Sequence, residues 1–304
     1  MVDRMSLAGA LRVMRGVSDL WFALDRKRRR VAVENILASE IVDTPHAARR
    51  VARASARHFG TVLVESLKSA EILGGERWRE NVTLEMHPEV LAALADPERG
   101  VLVASAHFGN WEVAAQILSL FKPVVGIVRR NSNRHVQALL ERRKPRFRFR
   151  LTDEWVGDPT RFFSILAEGR ALALLVDLDA RGRGIPVDFF ARPAATHTTL
   201  PMLHLLTGAP LVFGYCLRTG PGRFLVRSAP LVTPPKTGRR VEDCRAILEV
   251  VHQRLEAAIR SAPEQYLWAH GRWKHGHWRP GMPGVGRGES IPAAAAGPLG
   301  RSSR

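Results

Sequence analysis

The feature that most constrains the fold is a buried strand that leads through a short loop into an amphipathic helix. The apolar run from Val101 to Val103 predicts a β-strand, and the apolar periodicity of residues 111–120 predicts a helix. Asn110 is a favourable N-cap residue, which places Glu112 in the first helical turn. A strand followed by a helix is the repeating unit of α/β folds, whose ligands bind beyond the carboxyl ends of the strands.

Two residues of this unit can take part in acid–base chemistry. His107 lies in the loop, five residues before Glu112. An imidazole can take a proton from an alcohol, and a carboxylate can hold that imidazole in the required tautomer. From spacing alone, we favour the alternative in which His107 is structural and Glu112 only complements the helix dipole.

The charge of the chain indicates a polyanionic partner. Its 304 residues contain 46 Lys and Arg against 29 Asp and Glu, which gives a net charge of +17. Nucleic acid, anionic lipid and a phosphorylated substrate all satisfy this charge. Cys216 and Cys244 have no metal-binding spacing and form no disulfide framework, as expected in a reducing compartment. We expect no membrane span, because no uninterrupted run approaches about 18 apolar residues.

The N-terminal residues 5–24 predict an amphipathic helix. Its apolar stripe consists of Leu7, Leu11, Met14, Val17, Trp21 and Leu24. Such a helix can lie in a membrane interface or pack on the protein core. The basic run at residues 26–30 favours membrane contact, since each basic residue near anionic headgroups contributes about 1 kcal/mol. A later helix should begin at Pro45, with Thr44 as its cap.

Further along the chain, residues 123–128 and 171–176 predict two more buried strands, and residues 197–207 and 241–259 predict helices. A hairpin is expected around residues 219–222, so the sheet should be mixed. The basic segment from Arg129 to Arg150 alternates arginine with phenylalanine near its end. Stacking on single-stranded nucleic acid could explain that alternation, and an amphipathic edge strand explains it more simply.

Asp177 and Asp179 follow the 171–176 strand. Acids in this spacing can bind a metal, but no further acidic ligand follows nearby, so we do not expect a metal site. Turn-forming acids that pair with Arg181 or Arg183 are an alternative.

Four blocks together resemble the bacterial lipid A biosynthesis acyltransferase family, the lauroyl and myristoyl transferase branch of the lysophospholipid acyltransferase-like superfamily. They are HFGNWE at 107–112, Arg129 with Asn133, residues 177–190, and PEQYLWAHGRWK at 263–274. Val128 and Arg130 stand where the family has Tyr and Pro. The resemblance implies an α/β fold with a mixed central sheet flanked by helices, similar to glycerolipid acyltransferases, and an amphipathic helical lead-in.

The resemblance also implies an O-acyltransferase. An acyl chain would move from an acyl carrier protein or coenzyme A thioester to a hydroxyl of a membrane glycolipid of the lipid A precursor type, with no metal and no bound cofactor. His107 would be the general base and Glu112 its orienting carboxylate. Arg129 or the N–H groups of residues 108–110 would bind the oxyanion. The expected substrate-binding residues are Asn110, Arg129, Asn133, Asp177 and Asp179.

The expected organisation is a membrane-associating helix at residues 1–24, an acyltransferase domain at 25–279 and a disordered tail at 280–304. The protein should bind peripherally to the cytoplasmic face of the inner membrane and should not bind nucleic acid. Acylation of phosphatidylinositol mannosides is an alternative activity. A non-catalytic basic protein that binds nucleic acid or anionic membrane is the alternative from a different class.

Overall fold

A seven-stranded mixed sheet lies at the centre of the fold. The computed structural model describes residues 5–128, 149–153 and 160–275. The strands are β1 (Val82–Met86), β2 (Val101–Ser105), β3 (Val124–Val128), β4 (Phe149–Asp153), β5 (Ala171–Leu175), β6 (Ile185–Phe189), β7 (Arg192–Thr196), β8 (Leu211–Gly220) and β9 (Arg223–Pro230). The sheet order is β1-β9-β8-β2-β5-β3-β4, and β6 pairs with β7 in a separate two-stranded sheet.

Helices cover both faces of the central sheet. They are α1 (Leu7–Leu24), α2 (Arg26–Ala38), α3 (Pro45–Leu67), α4 (Ser69–Leu73), α5 (Arg77–Asn81), α6 (Pro88–Ala95), α7 (Trp111–Phe121), α8 (Thr160–Ala167), α9 (Thr199–Thr207) and α10 (Arg240–Ser261). A 3₁₀ turn, Pro263–Gln265, follows α10. The expectation of an α/β fold with a mixed sheet flanked by helices is therefore confirmed.

Strand β2 is apolar on both of its faces because helices bury both sides. Leu102 and Ala104 join the cluster formed with α2, α3, α9 and α10, whereas Val101 and Val103 join the cluster under α6 and α7. Every residue of β2 is buried. A strand with two buried faces has a continuous apolar sequence in place of an alternating one.

Parallel pairing of β2 with β5 aligns the ends of the two strands. Ser105 is opposite Leu175 in this register, and the N–H of Val176 donates to the carbonyl of Ser105 at 2.9 Å. β8 is parallel to β2 on its other side, while β8 and β9 form the predicted antiparallel hairpin. The carboxyl ends of β2 and β5 are thus adjacent at one edge of the sheet.

Several local predictions are confirmed at the ends of elements. Thr44 caps α3 by accepting the N–H of Ala47 at 3.2 Å, and Pro45 is the first residue of that helix. Gly208 ends α9 with a φ of 66°. Strand β4 begins at Phe149 at the edge of the sheet, whereas the rest of the basic segment lies outside the described residues.

Helix α1 packs against α3 on one face. Phe22 is buried, and the Asp19 carboxylate accepts hydrogen bonds from Arg53 Nε at 2.8 Å and from Arg57 Nε and Nη2 at 2.7 Å. A Cβ at Gly60 would lie 2.2 Å from Ser18 Oγ, so glycine permits this close approach. The N-terminal helix is therefore attached to the rest of the chain.

The opposite face of α1 is apolar and exposed. Its exposed side chains are Val13, Val17, Leu20, Trp21 and Leu24. Two of them, Leu20 and Leu24, are 61% and 71% accessible. The helix thus packs on the protein through one face and leaves the other exposed, while membrane contact by the exposed face stays a prediction. Among residues 5–128, 149–153 and 160–275, no helix has the length and apolarity required to cross a membrane.

Gly109 lets the backbone after β2 lie close against β8 at Cys216. Its φ is +61°, and a Cβ there would lie 2.0 Å from the carbonyl oxygen of Cys216. We expect Gly109→Ala to lower the free energy of unfolding by well over the roughly 1 kcal/mol that a left-handed alanine alone costs. Gly208→Ala is the matched control, because Gly208 has a φ of +66° with nothing within 4 Å of its Cβ position. Urea denaturation measures both, and equal losses would contradict the steric role of Gly109.

Candidate active site

The adjacent ends of β2 and β5 bring His107 and Asp177 together. His107 Nδ1 lies 3.0 Å from Asp177 Oδ1, and the backbone N–H of His107 donates to Asp177 Oδ2 at 3.0 Å. The Asp177 side chain is 1% exposed, and that of His107 is 20% exposed. The carboxylate can only accept, so Nδ1 carries a proton and Nε2 of the neutral ring is available as a base.

The electrostatics of this pair favour an ionised carboxylate. Burial would raise the pKa of Asp177, but the charge and hydrogen bonds of His107 bring it below its usual value. Burial likewise opposes a charged imidazole. The charge and hydrogen bond of Asp177, with a smaller contribution from Glu112, outweigh that effect and raise the pKa of His107 above its ordinary value. Asp177 therefore stabilises the imidazolium that forms when His107 takes up a proton.

Glu112 acts on His107 through its charge. It lies in the first turn of α7, half-buried, and it lines the same pocket as His107. Asn110 caps this helix as predicted, because its Oδ1 accepts the N–H of Val113 at 3.1 Å. The Trp111 ring packs 5.2 Å from the His107 ring, measured between centroids. The assignment of Glu112 as the orienting carboxylate remains a prediction, whereas the hydrogen bond that the structure places on Nδ1 involves Asp177.

The loop after His107 is held by backbone hydrogen bonds to two segments, β8 and the stretch at residues 265–267. The N–H of Gly109 donates to the carbonyl of Gln265 at 3.0 Å, and the N–H of Asn110 donates to that of Cys216 at 2.7 Å. The N–H of Leu267 donates to the carbonyl of His107 at 3.2 Å. These bonds occupy two of the loop N–H groups expected to bind an oxyanion, so Gly109 and Asn110 are not available for that role.

Glu65 of α3 supports the same loop from inside the protein. Its carboxylate is fully buried and accepts hydrogen bonds from Arg218 Nε at 2.8 Å, from the N–H of Gly222 at 3.1 Å and from Asn110 Nδ2 at 3.2 Å. Burial raises the pKa of Glu65, while the Arg218 charge and these hydrogen bonds oppose the increase. Asn110 therefore connects a buried carboxylate to the start of α7. Asn110 is 0% exposed, so its side chain acts as a structural link.

Asp179 connects the β5 end to the C-terminal signature segment. Its N–H donates to His270 Nε2 at 3.0 Å, and its carboxylate pairs with His275 Nδ1. Two carbonyls of this segment, those of Trp268 and His270, accept hydrogen bonds from Asn35 Nδ2 at 2.8 Å. The blocks at residues 177–190 and 263–274, which the sequence singled out separately, are thus in contact.

A pocket of about 920 Å³ opens beside His107. Its apolar part extends between the sheet and helices α6 and α7, and is lined by side chains that include Met86, Val90, Leu94, Leu118 and Val212. Its polar part includes His107, Asp179, Arg181, Arg183, His197 and His270. This volume lies within the range of about 300 to 1,000 Å³ typical of small-molecule sites. The pocket can therefore take a long apolar group whose polar end reaches the imidazole.

His107 and Asp177 are both predicted site residues, but the contact between them was not predicted. Asp177 was expected to contact substrate, and Arg129 and Asn133 of the same expectation lie outside the described residues. His107 and Asp177 each lie six residues after the first residue of an apolar run, and those first residues, Val101 and Ala171, are partners in the parallel register. That shared interval is the signal that would have predicted the contact, once β2 and β5 were assumed to be parallel neighbours.

The chain is similar to known lipid A enzymes over most of its length. The model of the family described as bacterial lipid A biosynthesis acyltransferase matches residues 5–275. The lipid A biosynthesis lauroyltransferase of Escherichia coli (strain K12) is 29% identical over 201 residues, covering 64% of this chain and 62% of the relative. The palmitoleoyltransferase of that organism is 27% identical over 57% of this chain and 56% of the relative, as is a lipid A biosynthesis acyltransferase of Shigella flexneri. The chain thus spans about three-fifths of the length of these relatives.

Asp177 and Glu112 both raise the pKa of His107, and substitution of each carboxylate tests which of them has the larger effect. We expect Asp177→Asn to lower that pKa, because loss of the adjacent negative charge destabilises the imidazolium. Glu112→Gln should lower it by a smaller amount. NMR titration of ¹³C-labelled histidine measures both variants against the wild type. A larger fall in Glu112→Gln than in Asp177→Asn would show that Glu112 is the dominant partner.

Proposed function

The chain belongs to the bacterial lipid A biosynthesis acyltransferase family, and on that basis we propose that it is an O-acyltransferase. It moves a fatty acyl chain from an acyl carrier protein or coenzyme A thioester to a hydroxyl of a membrane glycolipid of the lipid A precursor type. The names of the similar enzymes support a lipid A acceptor over a phosphatidylinositol mannoside, and support an enzyme over a non-catalytic basic protein. The observation that carries the proposal is an imidazole, held by a buried carboxylate, at the polar end of a long apolar pocket.

In the proposed reaction, His107 is the general base. Its Nε2 takes the proton of the acceptor hydroxyl while the hydroxyl oxygen attacks the thioester carbonyl carbon. The tetrahedral intermediate then collapses, the carbon–sulfur bond breaks and the new ester remains. The departing thiolate takes the proton back from the imidazolium. Asp177 holds Nδ1–H throughout and stabilises the positive charge that the ring carries between the two transfers.

The acyl chain of the donor would occupy the apolar part of the pocket. Its walls come from α6, α7 and the sheet, and they place the polar end of the pocket at His107. A chain lying there would bring its thioester to the imidazole. Glu112 would add negative charge at the same end and favour the imidazolium. Groups other than the N–H groups of Gly109 and Asn110 would stabilise the oxyanion, because these two N–H groups already donate to backbone carbonyls.

His107→Ala tests the proposed chemistry directly. We expect turnover to fall by about 10²- to 10⁴-fold, the contribution of a general base, with the fold retained. His46→Ala is the matched control, since His46 lies exposed at the start of α3. The assay is steady-state transfer with a defined acyl thioester and a lipid A precursor in detergent micelles. Near-normal turnover of His107→Ala would exclude His107 as the base.

The exposed face of α1 is proposed to bind the cytoplasmic surface of the inner membrane. Leu20 and Leu24 would enter the interface, while Arg28, which stacks over the Trp21 ring, lies next to the headgroups. The net charge of +17 favours an anionic surface. Because α1 also packs on α3, point substitutions test this better than deletion of residues 1–24.

We expect Leu20→Ser with Leu24→Ser to weaken binding to phosphatidylglycerol vesicles. Each change removes an apolar side chain worth about 1.5 to 3 kcal/mol when fully buried. Transfer to an acceptor dissolved in micelles should change little. Val232→Ser is the control, because Val232 is 79% exposed and follows β9 instead of belonging to α1. Equal vesicle binding of the double variant and the control, measured by co-sedimentation, would exclude this face as the membrane contact.

A further inference from the structure

A basic turn lies next to the His107 and Asp177 pair. It consists of residues 179–183, two residues after Asp177, and is called here the cationic turn. Arg181 and Arg183 are exposed at this turn and line the pocket that contains His107. Two guanidinium groups are thus fixed to the same strand end as the proposed orienting carboxylate.

The backbone of the cationic turn has a defined shape. Arg181 and Gly182 have φ values of 51° and 86°, a left-handed conformation that is rare for arginine. Asp179 Oδ1 accepts the N–H of Arg181 at 3.4 Å, and the carbonyl of Ala180 accepts the N–H of Arg183 at 3.0 Å. These contacts fold the turn back on itself and set the direction in which the two arginines leave the backbone.

The turn is also anchored at its base to two other segments. The N–H of Ala180 donates to the carbonyl of Ala195 in β7 at 3.2 Å. The N–H of Asp179 donates to His270 Nε2 at 3.0 Å. A turn held on both sides loses little conformational freedom when it binds a ligand, so more of the interaction energy is available for affinity.

The electrostatic effect of these arginines extends into the pocket. His197 lines it, and its pKa is lowered by burial and then by the charges of Arg272 and Arg183. Of the carboxylates near the turn, Asp177 contacts His107 and Asp179 contacts His275, while Glu112 lines the same pocket. Arg181 and Arg183 therefore add two positive charges to the side of the pocket that the cationic turn forms.

We propose that Arg181 and Arg183 form a phosphate-binding site that anchors a substrate at the pocket opening with its reacting group at His107. This rests on the proposed function. A guanidinium binds phosphate oxygens through two parallel hydrogen bonds, which fixes orientation as well as position. The phosphate belongs either to the glycolipid acceptor or to the phosphopantetheine arm of the donor, because both substrates carry one. In either case the cationic turn and Asp177 both follow β5, so the same strand end positions the phosphate site and the carboxylate that orients the base.

The test measures binding without turnover, using two matched pairs of probes. The acceptor pair is a phosphorylated lipid A precursor and the same lipid after phosphatase treatment, in micelles without donor. The donor pair is dodecanoyl-phosphopantetheine and dodecanoyl-pantetheine, without acceptor. Arg181→Gln with Arg183→Gln removes both guanidinium groups. The control, Arg161→Gln with Arg254→Gln, removes the same charge from exposed positions on α8 and α10.

For one of the two pairs, we expect the cationic-turn variant to bind the phosphorylated probe at least tenfold more weakly than the wild type. Binding of its phosphate-free partner should be unchanged. The affected pair identifies the source of the phosphate. Arg181→Lys should lose part of this affinity, since an ammonium group cannot bind two oxygens in the same geometry. The control should change all probes less than threefold at physiological salt, where the diffuse surface charge is screened.

The proposal is overturned if the cationic-turn variant and the control lose affinity equally, or if loss is the same with and without phosphate in both pairs. Arg183→Gln alone serves as a second variant, because its backbone does not have the left-handed conformation of Arg181. If the protein binds phosphorylated probes preferentially but transfers no acyl chain, the phosphate site is supported and the proposed function is wrong. If it transfers an acyl chain but its binding does not depend on phosphate, the proposed function is supported and the phosphate site is wrong.

Discussion

The candidate site depends on the contact between His107 and Asp177, which follows from the pairing of two parallel strands. Ser105 of β2 faces Leu175 of β5, and the two functional residues lie two positions further along each chain. Continuous apolar sequences hold both strands between two helical layers, and alternate side chains of each strand pack into the cluster on one side or the other. The alignment of the base and its carboxylate is thus a consequence of how the centre of the protein packs.

Other segments keep the loop after β2 in place. Glu65 of α3 holds Asn110, the 3₁₀ turn holds Gly109 through Gln265, and Cys216 of β8 accepts the N–H of Asn110. These contacts come from parts of the chain far from one another in sequence. Because each satisfies a buried polar group, loss of any one would leave an unpaired donor or acceptor next to the site. Helix α3 and the C-terminal segment therefore help to build the site.

Much of the local structure could be predicted from the sequence because it depends on neighbouring residues. The β2 strand, the Asn110 cap, the Thr44 and Pro45 start of α3 and the Gly208 end of α9 all depend on contacts within a few positions. Strand β1 and the β6–β7 hairpin were not predicted. The sequence of β1, VTLEM, does alternate apolar and polar residues, so a local signal for that strand was present. Strands β6 and β7 each contain a proline, which argues against a strand.

The site was predicted less completely, since its contacts cross the fold. The family resemblance paired His107 with Glu112, five residues away, and the charge of Glu112 makes the smaller contribution to the raised pKa of His107. The Asp177 contact spans seventy positions and requires knowledge of strand order. The turn with Arg181 and Arg183 was singled out only as a possible salt-bridge partner of the acids, because no local signal indicates which side chains line a pocket.

The two carboxylate oxygens of Asp177 both accept hydrogen bonds from His107, one from the ring Nδ1–H and one from the backbone N–H. This double attachment prevents the imidazole from rotating to exchange its two nitrogens during a catalytic cycle. In the proposed reaction, the same nitrogen therefore receives a proton from one substrate and delivers it to the other. Acceptor oxygen and donor sulfur must then both reach a single edge of the ring, so the two substrates have to approach the imidazole from the same side.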